Sequence, residues 1–107
     1  MKKKKRKAVK IARIKLGLRL TAGETPSLAE AIKKEIDGGV TGVVFDMGET
    51  VTLDSRGIRF ILATCGYFAP MHGVVRLVNV PPDILKSFES MGLLDMLHVS
   101  ALKAADL

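Results

Sequence analysis

The sequence predicts an α/β fold, a single domain with a mixed, mostly parallel sheet of four to five strands and about four helices. Three observations carry this reading. Two β-branched apolar runs, residues 40–45 and 74–80, have the composition of central strands. Segments with apolar residues at helical spacing alternate with them. At 107 residues the chain can bury one core but not two. Strands that alternate with helices need crossover connections, which favour parallel pairing. Right-handed crossovers then bring the strand C-termini to one edge of the sheet.

The elements follow in order. Ile14, Leu16, Leu18 and Leu20 alternate with charged or small residues, as in a half-buried strand. Val9 and Ile11 have the opposite parity, which a bulge or a chain reversal near Ala12 and Arg13 would reconcile. Residues 23–26 break the strand. Ser27 with Glu30 has capping-box spacing and makes Ser27 the expected N-cap of a helix striped by Leu28, Ala31, Ile32 and Ile36. Asp37, Gly38 and Gly39 end it. The run 40–45 reads as a strand covered on both faces. Ile58, Ile61, Leu62, Cys65 and Ala69 then follow helical spacing until Pro70, and residues 71–73 turn the chain. After the strand at 74–80, Pro81 and Pro82 open a helix carrying Ile84, Leu85 and Phe88, closed by Met91 and Gly92. Residues 97–99 read as a last short strand and 100–106 as a last short helix.

Charge is distributed unevenly. The net charge is +6, but nine of the 17 Lys and Arg lie in residues 1–15: Lys2, Lys3, Lys4, Lys5, Arg6, Lys7, Lys10, Arg13 and Lys15. The other eight face eleven Asp and Glu, so the rest of the chain carries −3. The positive character therefore belongs to an arm, expected to be flexible over residues 1–10, with the folded domain over 11–107. No aromatic side chain interleaves with the arm, so it offers no platform for stacking on bases and no direct nucleic-acid partner is expected. Weak contact of residues 2–7 with an anionic membrane is the functional expectation for it. A single cysteine, Cys65, allows no intrachain disulfide and fits a reducing, cytoplasmic setting. No apolar run approaches the length of a membrane span, and the basic residues up to Arg19 interrupt any secretory signal.

The segment that carries chemistry is Val43, Val44, Phe45 and Asp46, then Leu53, Asp54, Ser55, Arg56, Gly57 and Ile58. An apolar strand ends in a carboxylate, a short loop follows, and an Asp-Ser pair with a glycine opens a helix. Asp54 or Ser55 caps that helix, and the cap exposes a hydroxyl at its positive end, where a phosphate is well tolerated. This order describes a phosphorylatable switch on a binding domain.

The segment VVFDMGETVTLDSRGIRFILATC resembles the core signature of the STAS domain, as found in anti-sigma factor antagonists. The downstream GVVRLVNVPPDILKSFESMGLLDMLHV is similar to the same family, and LRLTAGETPSLAEAIKKEI matches its first strand and helix more loosely. The resemblance implies a STAS-like fold without catalytic activity or cofactor. It implies Ser55 as phosphoacceptor and Asp46, Asp54, Ser55, Arg56 and Gly57 as the partner-binding residues. It also implies a bacterial partner-switching cycle controlling transcription, in which an anti-sigma serine kinase binds and phosphorylates the domain and a serine phosphatase resets it. The second reading is a STAS subunit of a lipid or anion transport complex without a phosphoswitch. Arg56 departs from the family pattern, which has a small hydroxyl residue there. A guanidinium at this point can pair with a phosphate on Ser55 or with an acidic group on a partner.

Enzymatic readings fall to spacing. Asp46 to Thr50 resembles the Asp-x-Asp-x-Thr of haloacid-dehalogenase-like phosphatases, but Gly48 stands where the acid/base should be. A cysteine phosphatase needs Arg six residues after Cys65, and Met71 is there. His72 and His98 lack partners at ligand spacing, so no metal is expected. Residues 23–26 lack the Lys-Ser/Thr end of a phosphate-binding loop. Of Tyr67 and Phe68, one is expected in the core.

Overall fold

The structure, a computed structural model, describes residues 9–101. The chain order is β1 (Ile11–Lys15), β2 (Arg19–Leu20), α1 (Thr25–Asp37), β3 (Gly42–Asp46), β4 (Thr52–Leu53), α2 (Ser55–Phe68), β5 (Val74–Val80), α3 (Pro82–Ser90) and β6 (His98–Ala101), with a 3-10 turn at Ala69–Met71. The predicted α/β fold is thus present. The main sheet has four strands in the order β1-β3-β5-β6, and β2 and β4 form a separate two-stranded ribbon. Every strand pair among the described residues is parallel.

Each crossover steps to the next strand in the same direction. With right-handed connections this places the three helices on one face. The burial pattern agrees. Ala12, Val43, Phe45, Val75 and Leu77 are buried on one side of the sheet, in one core with Ile32, Ile61, Phe68, Ile84 and Phe88. The residues of the other parity, Ile11, Arg13, Lys15, Val74 and Arg76, are exposed. The expectation that the run 40–45 is covered on both faces is therefore corrected. Val44 is only half-buried on the open face, in register between Arg13 and Arg76. An apolar run alone does not tell a two-sided strand from one whose outer face is shielded by long neighbouring side chains.

Other element expectations are refined. The alternation over 14–20 is not one strand. Gly17, at φ 78°, turns the chain between β1 and β2. No bulge or reversal occurs near Ala12 and Arg13, because Val9 and Ile11 lie outside the core. Ser27 is not an N-cap. Pro26 starts α1 earlier, with Glu24 as N-cap and no side-chain cap bond, since proline pre-sets the first-turn dihedral. Gly39, at φ 95°, ends α1 as expected, with Val40 N–H bonding Glu35 O at 3.1 Å. Phe68 is the core aromatic, and Tyr67 is 48% exposed. Ser100 and Ala101 belong to β6, not to a helix. The rest of that expected helix, and residues 1–8 of the expected arm, lie outside the described residues. No described helix is long and apolar enough to cross a membrane.

Candidate functional site

The β3–α2 connection lies at the C-terminal edge of the sheet, and it is tied down at almost every residue. Asp46 ends β3. Its Oδ1 accepts from Gly48 N–H at 2.9 Å and from the Asn79 amide at 3.2 Å, and its Oδ2 accepts from the Arg13 guanidinium at 3.0 Å. These bonds, the Gly48 amide first, hold the Asp46 carboxyl below the usual carboxylate range. Asp46 thus fastens the loop to β5 and β1. Asn79 sits at φ 56°, a conformation asparagine tolerates. It also falls where the β5–β6 register shifts.

Further along, Thr50 is buried and donates its hydroxyl to Gly17 O at 2.7 Å. Val51 N–H bonds Leu18 O at 2.8 Å, and Asp54 N–H bonds Leu20 O at 3.3 Å. The β2/β4 ribbon therefore carries the loop to the start of α2. The sequence reading missed this ribbon and its anchors Gly17, Thr50 and Asn79. Two residues per strand leave no period to detect. The one signal available was a polar Asn79 inside an otherwise apolar run.

Asp54 is the N-cap of α2, extended at φ −118° and ψ −178°. Its Oδ1 accepts from Gly57 N–H at 2.9 Å, and its Oδ2 from Ala22 N–H at 3.2 Å. The carboxylate so joins the helix start to the β2–α1 turn. The Gly57 bond is the main reason its carboxyl is held low. Ser55 is the first residue of α2 and is exposed. Its neighbour Arg56 is exposed and has no ion pair among the described residues. Gly57 is buried, and a Cβ there would collide with the Leu20 carbonyl oxygen and come within 2.8 Å of Leu20 Cγ. Only glycine lets the first turn of α2 lie on β2.

Of the five predicted site residues, Asp54, Ser55, Arg56 and Gly57 therefore share one helix start. Asp46 lies at the other end of the loop, where its bonds are internal. A cleft of 270 Å³ opens between α2 and α3 beside Ser55, lined among others by Val51, Asp54, Asp83 and Met91. Val51 and Met91 are 76% and 48% exposed, so this hydroxyl has an apolar rim.

The remaining candidates lie apart from this edge. Cys65 is half-buried, and burial pushes its thiol up, which favours a packing role over a reactive one. Among the described residues no three His, Cys, Asp or Glu side chains gather where a metal ion could sit.

Comparison with known proteins decides the family. The family model described as STAS domain matches residues 2–104. The chain belongs to the STAS family. Among solved structures it is similar to one titled "Structure of the Anti-Sigma Factor Antagonist SpoIIAA in its Unphosphorylated Form", with a TM-score of 0.73 at 19% identity, covering 95% of this chain and 90% of that one. At that identity the likeness is one of fold. No curated protein matches the chain in sequence. In this STAS domain, Asp54-Ser55-Arg56-Gly57 follows β3 and its loop and opens α2.

Proposed function

We propose that this STAS domain is a non-catalytic, phosphorylation-controlled binding module of the anti-sigma factor antagonist type, with Ser55 as phosphoacceptor. The observation that carries this is the position of Ser55, exposed at the first residue of α2 between a fixed cap, Asp54, and a glycine with no room for a side chain, Gly57. The partners that fit are a cytoplasmic anti-sigma serine kinase and a serine phosphatase, with an effect on transcription through the released sigma factor.

The physics of the switch follows from the site. Unmodified, Ser55 offers a neutral hydroxyl on a surface with an apolar rim, suited to a close-fitting partner. A phosphate adds about −1.5 to −2 charge. It would stand next to Asp54, whose carboxyl is held ionised by the Gly57 and Ala22 amides. The α2 N-terminus and the Arg56 guanidinium can absorb the charge within the domain, which preserves the fold. A partner fitted to the neutral surface meets new charge beside an existing carboxylate, and repulsion with desolvation outweighs contact area.

The test is calorimetric titration of an anti-sigma serine kinase of the same organism with unmodified and Ser55-phosphorylated domain. Binding is expected to weaken at least about a hundredfold on phosphorylation. Ser55→Ala should bind like the unmodified protein and resist modification. If both forms bind equally, or the kinase modifies no residue at Ser55, the serine is only part of a cap. The reading as a transport-complex subunit then takes its place.

A further inference from the structure

The helical side of the molecule carries a groove that the switch does not use. Asp54 joins the start of α2 to the β2–α1 turn through Ala22 N–H. The two helices therefore begin side by side, and parallel strands make them run in the same direction. Between them lie adjoining hollows of 440 Å³ and 320 Å³, which share Ala29, Phe60 and Ala63. Arg56, Phe60, Ala63 and Tyr67 form the facing stripe of α2, at helical spacing over about 16 Å. Ala29 and Ala63 are exposed and carry no side chain long enough to close the gap. The floor is apolar. Ile32 is buried there, and buried Thr64 donates its hydroxyl to Phe60 O at 2.9 Å within its own helix.

Charge is polarised along the groove. At the end where both helices start, Arg56 and Arg59 are exposed and form no ion pair among the described residues. The first turns of α1 and α2 hold no acidic residue. Glu24, Glu30 and Asp54, the nearest carboxylates in sequence, lie outside the lining. Glu24 bonds Thr21, and Asp54 bonds Ala22 and Gly57. At the far end Lys33 and Asp37 offset each other.

We infer that this groove docks an amphipathic helix of a protein partner, with its apolar stripe over Ala29 and Ala63 and carboxylates of its last turn on Arg56 and Arg59. The argument is charge complementarity over an apolar floor. Two helix N-termini add positive potential where the unpaired guanidiniums stand. A partner helix lying antiparallel to α1 and α2 brings its negative end and its acidic last turn to that point. The length suits anchors at i, i+4 and i+7. A second copy of the chain fits poorly. Outside the groove the described helices turn polar residues outward, such as Ser27 and Lys34 on α1 and Asp83 and Lys86 on α3. An acyl chain would fill the floor but leave its own length open to water. The cationic end begins directly after Ser55, so the groove is continuous with the switch. The inference goes beyond that reading, because it concerns the unmodified domain and holds whether or not Ser55 is phosphorylated.

Tyr67 is the single tyrosine of a chain without tryptophan, so tyrosine emission reports on the groove wall. The probe is a side-chain-stapled peptide of about four helical turns, with leucines at i, i+4 and i+7, glutamates in its last turn and no aromatic residue. Added to the full chain, it should change Tyr67 emission saturably below about 1 mM. Lysines in place of the glutamates should weaken binding about tenfold. Arg56→Glu/Arg59→Glu should weaken the glutamate peptide about as much and restore the lysine peptide. Ala63→Gln should weaken binding about tenfold by putting a polar chain over the floor, and Ala29→Gln gives the same readout if that variant melts early. Gly66→Ala, on α2 but outside the groove, should bind like the parent. The absence of a saturable response overturns the inference. So does a lysine peptide that binds as tightly as the glutamate one, unchanged affinity in the glutamine variants, or tighter binding of dodecanoate than of the peptide.

Discussion

The two edges of the sheet are built on opposite plans. At the C-terminal edge the loop backbone and its carboxylates are fastened inward. Asp46 accepts three bonds, Asp54 bridges α2 to Ala22, and Gly57 leaves no gap over Leu20. At the N-terminal edge the packing is sound underneath, but the apolar side chains of Val9, Ile11, Met71 and Val74 are exposed. The difference teaches what each edge is suited for. A switch read by a fitted partner needs one fixed geometry, so that a single added group decides binding.

The largest expected effect separates the two plans within one helix. Gly57→Val forces a branched Cβ onto the Leu20 backbone and should cost about 3 kcal/mol or more, lowering the melting temperature by roughly 10 °C or more. Gly66→Ala, in the same helix with nothing within 4 Å of the new Cβ, should instead stabilise by about 0.5–1 kcal/mol. Two thermal melts decide this, and a Gly57→Val protein as stable as the parent would break the account of the helix start.

Next comes Asp46→Ala. It strands the Gly48 and Asn79 donors and releases Arg13, and should cost about 1–2 kcal/mol in chemical denaturation. The acid side sharpens the same point. Asp46 and Asp54 both have carboxyls lowered by folding. Their stabilisation is therefore fully present above the ordinary carboxylate range and is lost as pH falls through their lowered values. Melting temperature should hold from neutral pH to about pH 4 and drop below it, with a shallower drop in Asp46→Ala. An identical acid profile in the two proteins would detach Asp46 from the loop.

The smallest effects are expected where the comparison says stability is not at stake. Ser55→Ala and Val9→Asp should each change stability by less than about 0.5 kcal/mol. The first should act on kinase modification. A large loss of stability in either would mean that the exposed residue has a structural task.

What was legible in the sequence was whatever has a period or a local chemical signature. The runs that became β3 and β5, the stripes of α1, α2 and α3, the glycines at 38–39 and 92, and the Asp-Ser-x-Gly helix start all fall in this class. So did the order of strands and helices, and with it the edge that carries Ser55. The family followed because its pieces stand in the right order. Less local matters were misread. Pro26 overruled the Ser27 capping spacing, and Gly17 divided one apparent strand into two members of different sheets.

The sequence by itself thus determined the α/β layering, the helix cap and the place of Ser55 at the start of α2, because each depends on neighbours a few positions away. Only the tertiary structure decided which face of the sheet is bare, that Asp46 is held by Arg13, Gly48 and Asn79, why position 57 must be glycine, and that Val9 and Met71 share one exposed pocket. Most of these contacts join residues more than thirty positions apart. Helix and strand periods carry no information about such pairings, which are fixed when crossovers choose a face and parallel strands choose a register.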